Sequence, residues 1–389
     1  MPQFDYEEIG NQLNIDGKYY NSLDIEAFSL MMKNPSYCYK FYWLESIVHL
    51  ISEGLKETSF NDLIDEMIAN AWYTVLEFHI HLSGVIEGSV KDGLERAVFT
   101  LQELSQLPGN ASKIEIKNKI KKYDKELALF KDQLTHMIPY RALSGFFDKC
   151  QEKADWGSTQ RMVFYIERVN QISLLPYTLG TGSKLKKEVY FNESWIKMIQ
   201  DNTVSILGWI QYEKVKWLQN NNPEVPGLIY KLAPMDEKMR RINSVRKLWE
   251  AVLDEKPIVD VFKNSPIVKG SYDVDHFIPW SFVMNDELWN LMPMDSSLNS
   301  SKSNKLPKWD PFFRRFASNQ YILYGIIHDE RKPDIRKKYE SCYRDNLHSI
   351  WANQELYRKG NSKEKFYHIL EKNMQPVYDS ARRQGYQIW

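Results

Sequence analysis

Apolar side chains recur every three or four positions over most of the chain, which predicts a protein built mainly from α-helices. From 41 to 52 they keep helical spacing, and Gly54 follows where a helix would end. A second run, from 63 to 76, forms one apolar face behind capping residues at 58–61. Further helices are predicted at 89–104, 113–132, 192–219, 238–253, 334–358 and 363–383.

The stretch from 273 to 307 has a different pattern. Its run VDHFI is short, β-branched and aromatic, and Pro279 ends it because proline has no N–H for a ladder. WNLMPM predicts a second short strand, and the residues between the two runs are rich in turn formers. Either Asp295 or Ser296 can cap a short helix through SSLNSSKS. The predicted unit is strand, loop, strand, helix.

Five side chains of this unit have the chemistry of a one-metal hydrolytic site. Asp275 and Asn299 carry the oxygen ligands that a hard cation such as Mg²⁺ prefers. His276 can take a proton from an attacking water at neutral pH. Lys302, on the same helical face as Asn299, would meet negative charge on a phosphate. Asn290 can hydrogen-bond the loop backbone and so hold His276 in position.

One more carboxylate belongs to the same strand. Asp273 precedes Asp275 by two positions and therefore lies on the same face. It could support the site, but the sequence favours a solvated strand charge. A single Asp-His pair would be weak evidence of a site, and only the full spaced set makes coincidence improbable.

The spaced set resembles the HNH endonucleases of the ββα-metal class, in a zinc-free form with Asn in place of the last His. The intervals from His276 to Asn290 and Asn299 are also similar to those in the HNH domain of RNA-guided CRISPR nucleases. This resemblance covers about 265–320. It implies one Mg²⁺ or Mn²⁺ per site, with Asp275 and Asn299 as ligands, His276 as base and Asn290 as brace. The C-x-x-C pairs that hold zinc in many members are absent, so no zinc is expected.

Charge does not mark the whole chain as a nucleic-acid binder, since Lys plus Arg and Asp plus Glu number 51 each. Between 238 and 316 there are 13 Lys or Arg and 10 Asp or Glu, a small excess of the right sign. The candidate ligands of the DNA backbone are the cations in and beside the predicted unit. They are Lys305, Arg314, Arg315, Arg240, Arg241, Arg246 and Lys247.

Pattern breaks at 108–110 and 220–227 divide the chain. We expect an N-terminal helical domain at 1–110 and a helical middle region at 111–228 that senses or binds a partner or DNA. The unit itself, with a basic helix, would occupy 229–320, and a C-terminal helical region at 321–389 would pack on it. The fold class expected is mainly α with a small embedded ββα unit, which makes it α+β.

Two further features bear on location and binding. Three scattered cysteines suit a reducing compartment, and with neither a signal peptide nor a membrane span expected, the protein is predicted to be cytoplasmic. The aromatic run at 37–43 could stack on bases, as in single-strand binders, but the helical phase of Trp43 favours core packing.

The resemblance implies DNA hydrolysis that leaves a 5′-phosphate and a 3′-hydroxyl, on double- or single-stranded DNA. By analogy we expect the nuclease of a bacterial anti-phage defence or restriction system, with a protein partner such as an ATPase or a guide-binding protein. The alternatives are a mobile-element or homing-type endonuclease and a non-catalytic interaction subunit with a decayed nuclease fold. The oligomeric state stays open.

Overall fold

A computed structural model describes residues 13–32, 35, 37–83, 92–150, 153–232 and 240–389. Most of these residues are helical and a few form small antiparallel strands, so the predicted class, mainly α with a small β part, is confirmed. The chain divides into two compact units. The first unit is Met1–Pro223 with Lys231–Pro234, and the second unit is Glu224–Tyr230 with Met235–Trp389. The four-part division expected from the sequence stays a prediction.

The first unit is a helical bundle with one small sheet. Its α-helices are α1 Ile25–Leu30, α2 Tyr39–Ser52, α3 Phe60–Leu76, α4 Gly93–Ser105, α5 Lys113–Lys122, α6 Asp124–Leu134, α7 Ile138–Arg141, α8 Thr159–Ile172, α9 Glu193–Asp201 and α10 Thr203–Asn221. Short 3₁₀ turns lie at Gly17–Tyr19, Ala142–Lys149 and Lys184–Lys186. The core is aromatic, with Trp43, Trp72 and Trp195 fully buried.

Two of the predicted long helices are each broken into two. The stretch 113–132 breaks at Tyr123, where the backbone leaves the helical region (φ −107°, ψ 26°). The stretch 192–219 breaks at Asn202, whose side-chain amide donates to the Met198 carbonyl and competes with the helical ladder. Apolar periodicity continues across both breaks, which is why the sequence pattern missed them.

The sheet of the first unit was not predicted. Strands β1 Glu57–Ser59, β2 Tyr177–Leu179 and β3 Glu188–Phe191 pair antiparallel in the order β1-β3-β2. Each strand has only three or four residues, too few for a period-two pattern to be recognised. The basic segment 179–187 is mostly the connection between β2 and β3.

The second unit contains the predicted strand, loop, strand, helix. Its elements are α11 Asn243–Glu255, β4 Tyr272–His276, α12 Trp280–Val283, β5 Leu291–Asp295, α13 Ser296–Lys302, α14 Trp309–Ile327, α15 Pro333–Asn346 and α16 Lys363–Arg383. A 3₁₀ turn at Leu288–Asn290 leads into β5, and a π-helical turn lies at Ala352–Leu356. Residues 238 and 239 of the predicted helix 238–253 lie outside the described residues.

The predicted helix at 334–358 ends early because a buried carboxylate takes over its backbone donors. α15 stops at Asn346, and the oxygens of Glu287 accept hydrogen bonds from the amides of His348 and Ser349. Glu287 is only 4% exposed, so these bonds are shielded from water. The loop before β5 is thereby tied to the C-terminal helices.

The last residues dock on the segment that follows α13. Leu306 donates to the Gln387 carbonyl and accepts from the Trp389 amide, and the Tyr378 hydroxyl donates to the Pro307 carbonyl. The Trp389 ring packs edge-on against Phe262. In the described part of the chain, no helix is long and apolar enough to cross a membrane.

Candidate active site

A two-stranded antiparallel ribbon and one short helix hold the candidate residues. In the β4–β5 register, Asp275 lies opposite Met292 and His276 opposite Leu291. Tyr272, Val274 and His276 are buried, whereas Asp273 and Asp275 are half-buried on the other face. The two carboxylates therefore point to one side of the ribbon, as period-two alternation requires.

The helix α13 begins at the first of the two predicted caps. The Asp295 carboxylate accepts hydrogen bonds from the amides of Ser297 and Leu298, and Lys263 pairs with it at 2.9 Å. The hydrogen bond from Ser297 and the Lys263 ammonium hold the pKa of Asp295 well below its usual range. Buried Asp260 fixes the same corner by accepting from the Asp295 amide at 2.9 Å.

Asn290 braces the loop that follows His276. It is fully buried, and its amide makes two hydrogen bonds of 2.8 Å with the backbone of Ile278, accepting from the N–H and donating to the C=O. Its own carbonyl accepts from the Phe277 amide at 2.8 Å. Three bonds therefore hold the two residues after His276, and the role of Asn290 as a brace for the base stays a prediction.

The ring of His276 is fixed on both edges. Nε2 lies 3.1 Å from the Asn285 carbonyl oxygen and 3.1 Å from Oδ1 of Asp286, and Nδ1 lies 3.4 Å from a guanidinium nitrogen of Arg240. A guanidinium and a carbonyl have complementary demands, since the first can only donate and the second can only accept. The neutral ring therefore carries its proton on Nε2 and has its lone pair on Nδ1.

Asp286 lies beside the His276 ring and is itself held in place by neighbouring groups. One of its oxygens faces His276, and the other accepts from the Arg241 amide at 2.5 Å. Burial alone would raise the pKa of Asp286, but the hydrogen bond and charge of His276, the Arg241 amide and the Arg240 guanidinium outweigh it and hold the pKa below the usual value. Buried Asn346 donates to the carbonyls of both Asp286 and Arg241. The carboxylate is therefore charged and fixed next to the imidazole.

Asp275 and Lys302 form an ion pair. The ammonium of Lys302 lies 2.8 Å from Oδ2 of Asp275, with the Lys302 side chain 1% exposed and the Asp275 side chain 14% exposed. The sequence assigned Asp275 to a metal and Lys302 to phosphate. The structure brings both to the site, and it also shows that this carboxylate oxygen accepts a cation.

Asn299 contacts the same face of the ribbon, but its partner is a different carboxylate, that of Asp273. Its side-chain nitrogen donates to Oδ2 of Asp273 at 3.3 Å. Because that nitrogen is turned to Asp273, the carbonyl oxygen of the amide faces away from it. Asp273 therefore orients Asn299 and is more than the solvated charge that the sequence favoured.

The donor set suits a hard divalent cation. Asp275 supplies a carboxylate oxygen that already accepts an ammonium, and Asn299 supplies an amide carbonyl. One carboxylate plus one amide leaves positions for water and phosphate, as Mg²⁺ prefers. Among the residues that the structure describes, no cluster of three or more His, Cys, Asp or Glu side chains could hold a metal by itself.

The cations predicted to contact DNA differ in their exposure and in the contacts that they make within the protein. Lys305, Arg314, Arg241 and Lys247 are exposed, and Arg240, Arg246 and Arg315 are half-buried. Arg315 donates to the carbonyls of Val261 and Phe262, at 3.0 and 3.3 Å, so its guanidinium stabilises a loop. Arg240 faces His276. A phosphate contact by any of these residues stays a prediction.

Sequence reasoning missed two acidic residues that organise the site, Asp286 and Asp260. Asp286 lies in the turn-rich loop, ten positions after His276, where no periodic pattern indicates which side chain turns inward. Asp260 lies 35 positions before the Asp295 amide that it binds. Only their burial, 6% exposed for the Asp286 side chain and 1% for Asp260, distinguishes them from ordinary surface charges.

A strand ribbon followed by a helix, with His at the end of the first strand and a carboxylate-amide pair beside it, defines the ββα class of nuclease unit. Residues 261–308 match the model of the HNH endonuclease family, and this segment of the chain belongs to that family. The match indicates a nuclease that binds nucleic acid, and such nucleases generally use divalent metal ions. No curated protein and no solved structure matches the chain.

Proposed function

We propose that the second unit hydrolyses DNA phosphodiester bonds in a metal-dependent reaction with His276 as the general base. The observation that carries the proposal is the polarity of this imidazole. With Nε2–H directed to the Asn285 carbonyl, the lone pair of Nδ1 is the basic one. A base must lie within hydrogen-bond reach of the proton it takes, so the attacking water is bound on the Nδ1 side.

Asp286 supports the proton transfer. When Nδ1 takes a proton from water, the imidazole becomes a cation beside a carboxylate whose oxygen lies 3.1 Å away. A fixed opposite charge stabilises the imidazolium, as the buried acid does in catalytic triads. Asn290 keeps the loop, and with it His276, in the orientation that this step needs.

We propose that Asp275 and Asn299 hold one Mg²⁺ or Mn²⁺, with Asp273 orienting the Asn299 amide. When bound, the ion would stabilise negative charge on the phosphate and on the leaving oxygen. The ammonium of Lys302, already beside Asp275, would exchange that contact for the phosphate and act as a second cation.

The cations of the second unit would bind the DNA backbone. Lys305, Arg314, Arg241 and Lys247 are exposed and suited to phosphate, and Arg240 would leave His276 when the scissile phosphate enters. The products would be a 5′-phosphate and a 3′-hydroxyl. Phage defence or restriction in the cytoplasm is the proposed setting, with an ATPase or a guide-binding protein as the partner, because the first unit is far larger than cleavage requires.

The experiment is cleavage of supercoiled plasmid and of single-stranded DNA by the full-length protein, with Mg²⁺, with Mn²⁺ and with a chelator. His276→Ala should lose at least about a hundredfold in rate, since general bases contribute that much or more. The matched control is His368→Ala, an exposed histidine on α16.

Equal cleavage by wild type and His276→Ala would contradict the assignment of the base. Cleavage that is unaffected by the chelator would contradict the metal. If the wild type does not cut, the assay is repeated with the products of neighbouring genes, which tests the proposed partner at the same time.

A further inference from the structure

The first unit contains a cavity of about 520 Å³ that the proposed nuclease function does not use. Three of its lining side chains are cationic, three are aromatic with a polar group on the ring, and the rest are apolar or neutral. They are Lys40, Arg96, Arg141, Tyr37, Tyr39, Trp156, Leu134, Met137, Ile138, Ser144, Gln133 and Gly93. None of these described lining residues is acidic.

The cations of the cavity have neutral partners. The Lys40 ammonium donates to the Ser144 hydroxyl at 2.9 Å, and the Arg96 guanidinium donates to the side-chain Oε1 of Gln133 at 2.8 Å. In the described ranges, Nε of Arg96 is buried without a hydrogen-bond partner. Arg141 lies over the ring of Trp156, 5.2 Å from its centroid. Positive charge is therefore concentrated in a half-enclosed space whose described lining residues include no carboxylate.

Placing these positive charges close together in the cavity is electrostatically unfavourable. Burial first, and then the neighbouring Arg141 charge, lower the pKa of Lys40 to about 8. A half-buried cation next to another cation is stabilised when an anion enters, because the attraction in a partly dry site is stronger than in water. A bound anion is therefore the simplest way to balance these groups.

The aromatic side chains of the cavity indicate a second property of its ligand. The rings of Tyr37 and Tyr39 are stacked, with centroids 5.6 Å apart and planes 27° apart. Tyr37 is 53% exposed and Trp156 is 37% exposed, so both rings are open to a ligand. Of the aromatic run at 37–43, Phe41, Tyr42 and Trp43 are core residues, and Tyr37 is not. An exposed aromatic face beside cations suits a flat ring that carries negative charge.

We propose that this cavity binds a nucleotide, with the phosphate held by Arg96, Arg141 and Lys40 and the base stacked on an exposed ring of Tyr37 or Trp156. A cavity of 520 Å³ lies within the range of about 300–1,000 Å³ that small-ligand sites occupy. The nucleotide can be a free mononucleotide or the terminal nucleotide of a strand, since both present the same phosphate and base. The proposal goes beyond the nuclease function and does not depend on it.

The test is isothermal titration calorimetry on the full-length protein, with a chelator present so that no strand is cut. The probes are AMP, GMP, CMP and UMP, with inorganic phosphate and adenosine as the two halves. At least one mononucleotide should bind about tenfold more tightly than either half, because charge-assisted bonds and stacking each contribute about that factor.

The variants Arg96→Gln and Arg141→Gln should each weaken nucleotide binding by about tenfold. Arg141 is exposed, so its substitution leaves the fold intact even if that of Arg96 does not. The matched control is Lys121→Gln, which removes an exposed cation of α5 outside the cavity and should bind as the wild type does.

Two results would overturn the proposal: no binding of any mononucleotide at about 1 mM, or binding that neither arginine variant changes. If a mononucleotide binds, a 5′-phosphorylated tetranucleotide distinguishes the two possible ligands, a free nucleotide and the end of a strand. Tighter binding of the tetranucleotide, with the same dependence on Arg96 and Arg141, identifies a strand end as the ligand. Tighter binding of a mononucleotide identifies a free nucleotide.

Discussion

The buried amide of Asn290 should contribute to stability and to activity through the same two bonds. Asn290→Ala leaves the N–H and the C=O of Ile278 without partners, in a place where both residues are fully buried. Each unsatisfied buried group costs about 1–3 kcal/mol, and some water will enter the space that the amide leaves. We therefore expect the free energy of unfolding to fall by about 2–4 kcal/mol, a large part of the ~5–15 kcal/mol of a typical domain.

Urea unfolding followed by circular dichroism measures this loss, and hydrogen exchange of peptides from 272–295 localises it. Exchange should accelerate at Phe277 and Ile278, and cleavage should slow because His276 loses its fixed loop. The matched control is Asn373→Ala, where the side chain donates only to the Ile369 carbonyl within α16. That variant should lose no more than about 0.5 kcal/mol.

Asn290→Asp sharpens the test. The carboxylate can still accept from the Ile278 amide, but it places a second acceptor against the Ile278 carbonyl. A buried acid without a cation has a raised pKa, so this variant should recover stability as the pH falls and its carboxyl gains a proton to donate. A loss below about 1 kcal/mol in Asn290→Ala, with unchanged exchange, would refute the bracing argument.

Three further predictions concern charged groups. Asp286→Asn keeps an acceptor for the Arg241 amide but removes the charge beside His276, so cleavage should slow by at least about tenfold. Because the pKa of Asp286 is held below its usual value, its charge stabilises the fold, and the urea midpoint should fall as well. An unchanged rate would exclude a role for the carboxylate in catalysis. Lys302→Met removes the ammonium that would compete with a metal ion for Asp275. Mg²⁺ should therefore raise the melting temperature of the variant more than that of the wild type. Equal shifts in melting temperature would argue against Asp275 as a metal ligand. Burial would raise the pKa of Glu66, but hydrogen bonds from His49, Lys113 and Lys117 lower it to about 2. Its stabilising effect is therefore present above the unfolded pKa near 4.5 and is lost as the pH falls toward 2. Glu66→Gln should cost about 2 kcal/mol at pH 7 and nothing near pH 2, as measured by urea unfolding, and a constant difference would contradict the shift.

The sequence by itself determined the local part of the site. Strands β4 and β5 and the helix after them follow from a β-branched and aromatic run, a second short apolar run and a capping Asp, all of which act over a few residues. Pro279 did not set the end of β4, which stops at His276, and Pro293 lies within β5. Asn290 could be predicted as a brace because it directly precedes the second strand, next to the loop whose backbone it binds. Residue chemistry likewise assigned His276, Asp275 and Asn299 before any contact was known.

Tertiary structure alone decided what these residues contact. Asp286 turns toward His276 from within a loop, Arg240 reaches the same ring from 36 positions away, and Lys302 pairs with Asp275. The cavity of the first unit brings together Tyr37, Arg96, Arg141 and Trp156 from four separate segments. Helical and strand periods are local properties of a chain, whereas contacts between distant segments depend on how the helices pack. Helical and strand periods can therefore be recognised in a single sequence, whereas the contacts between distant segments become visible only in the folded structure.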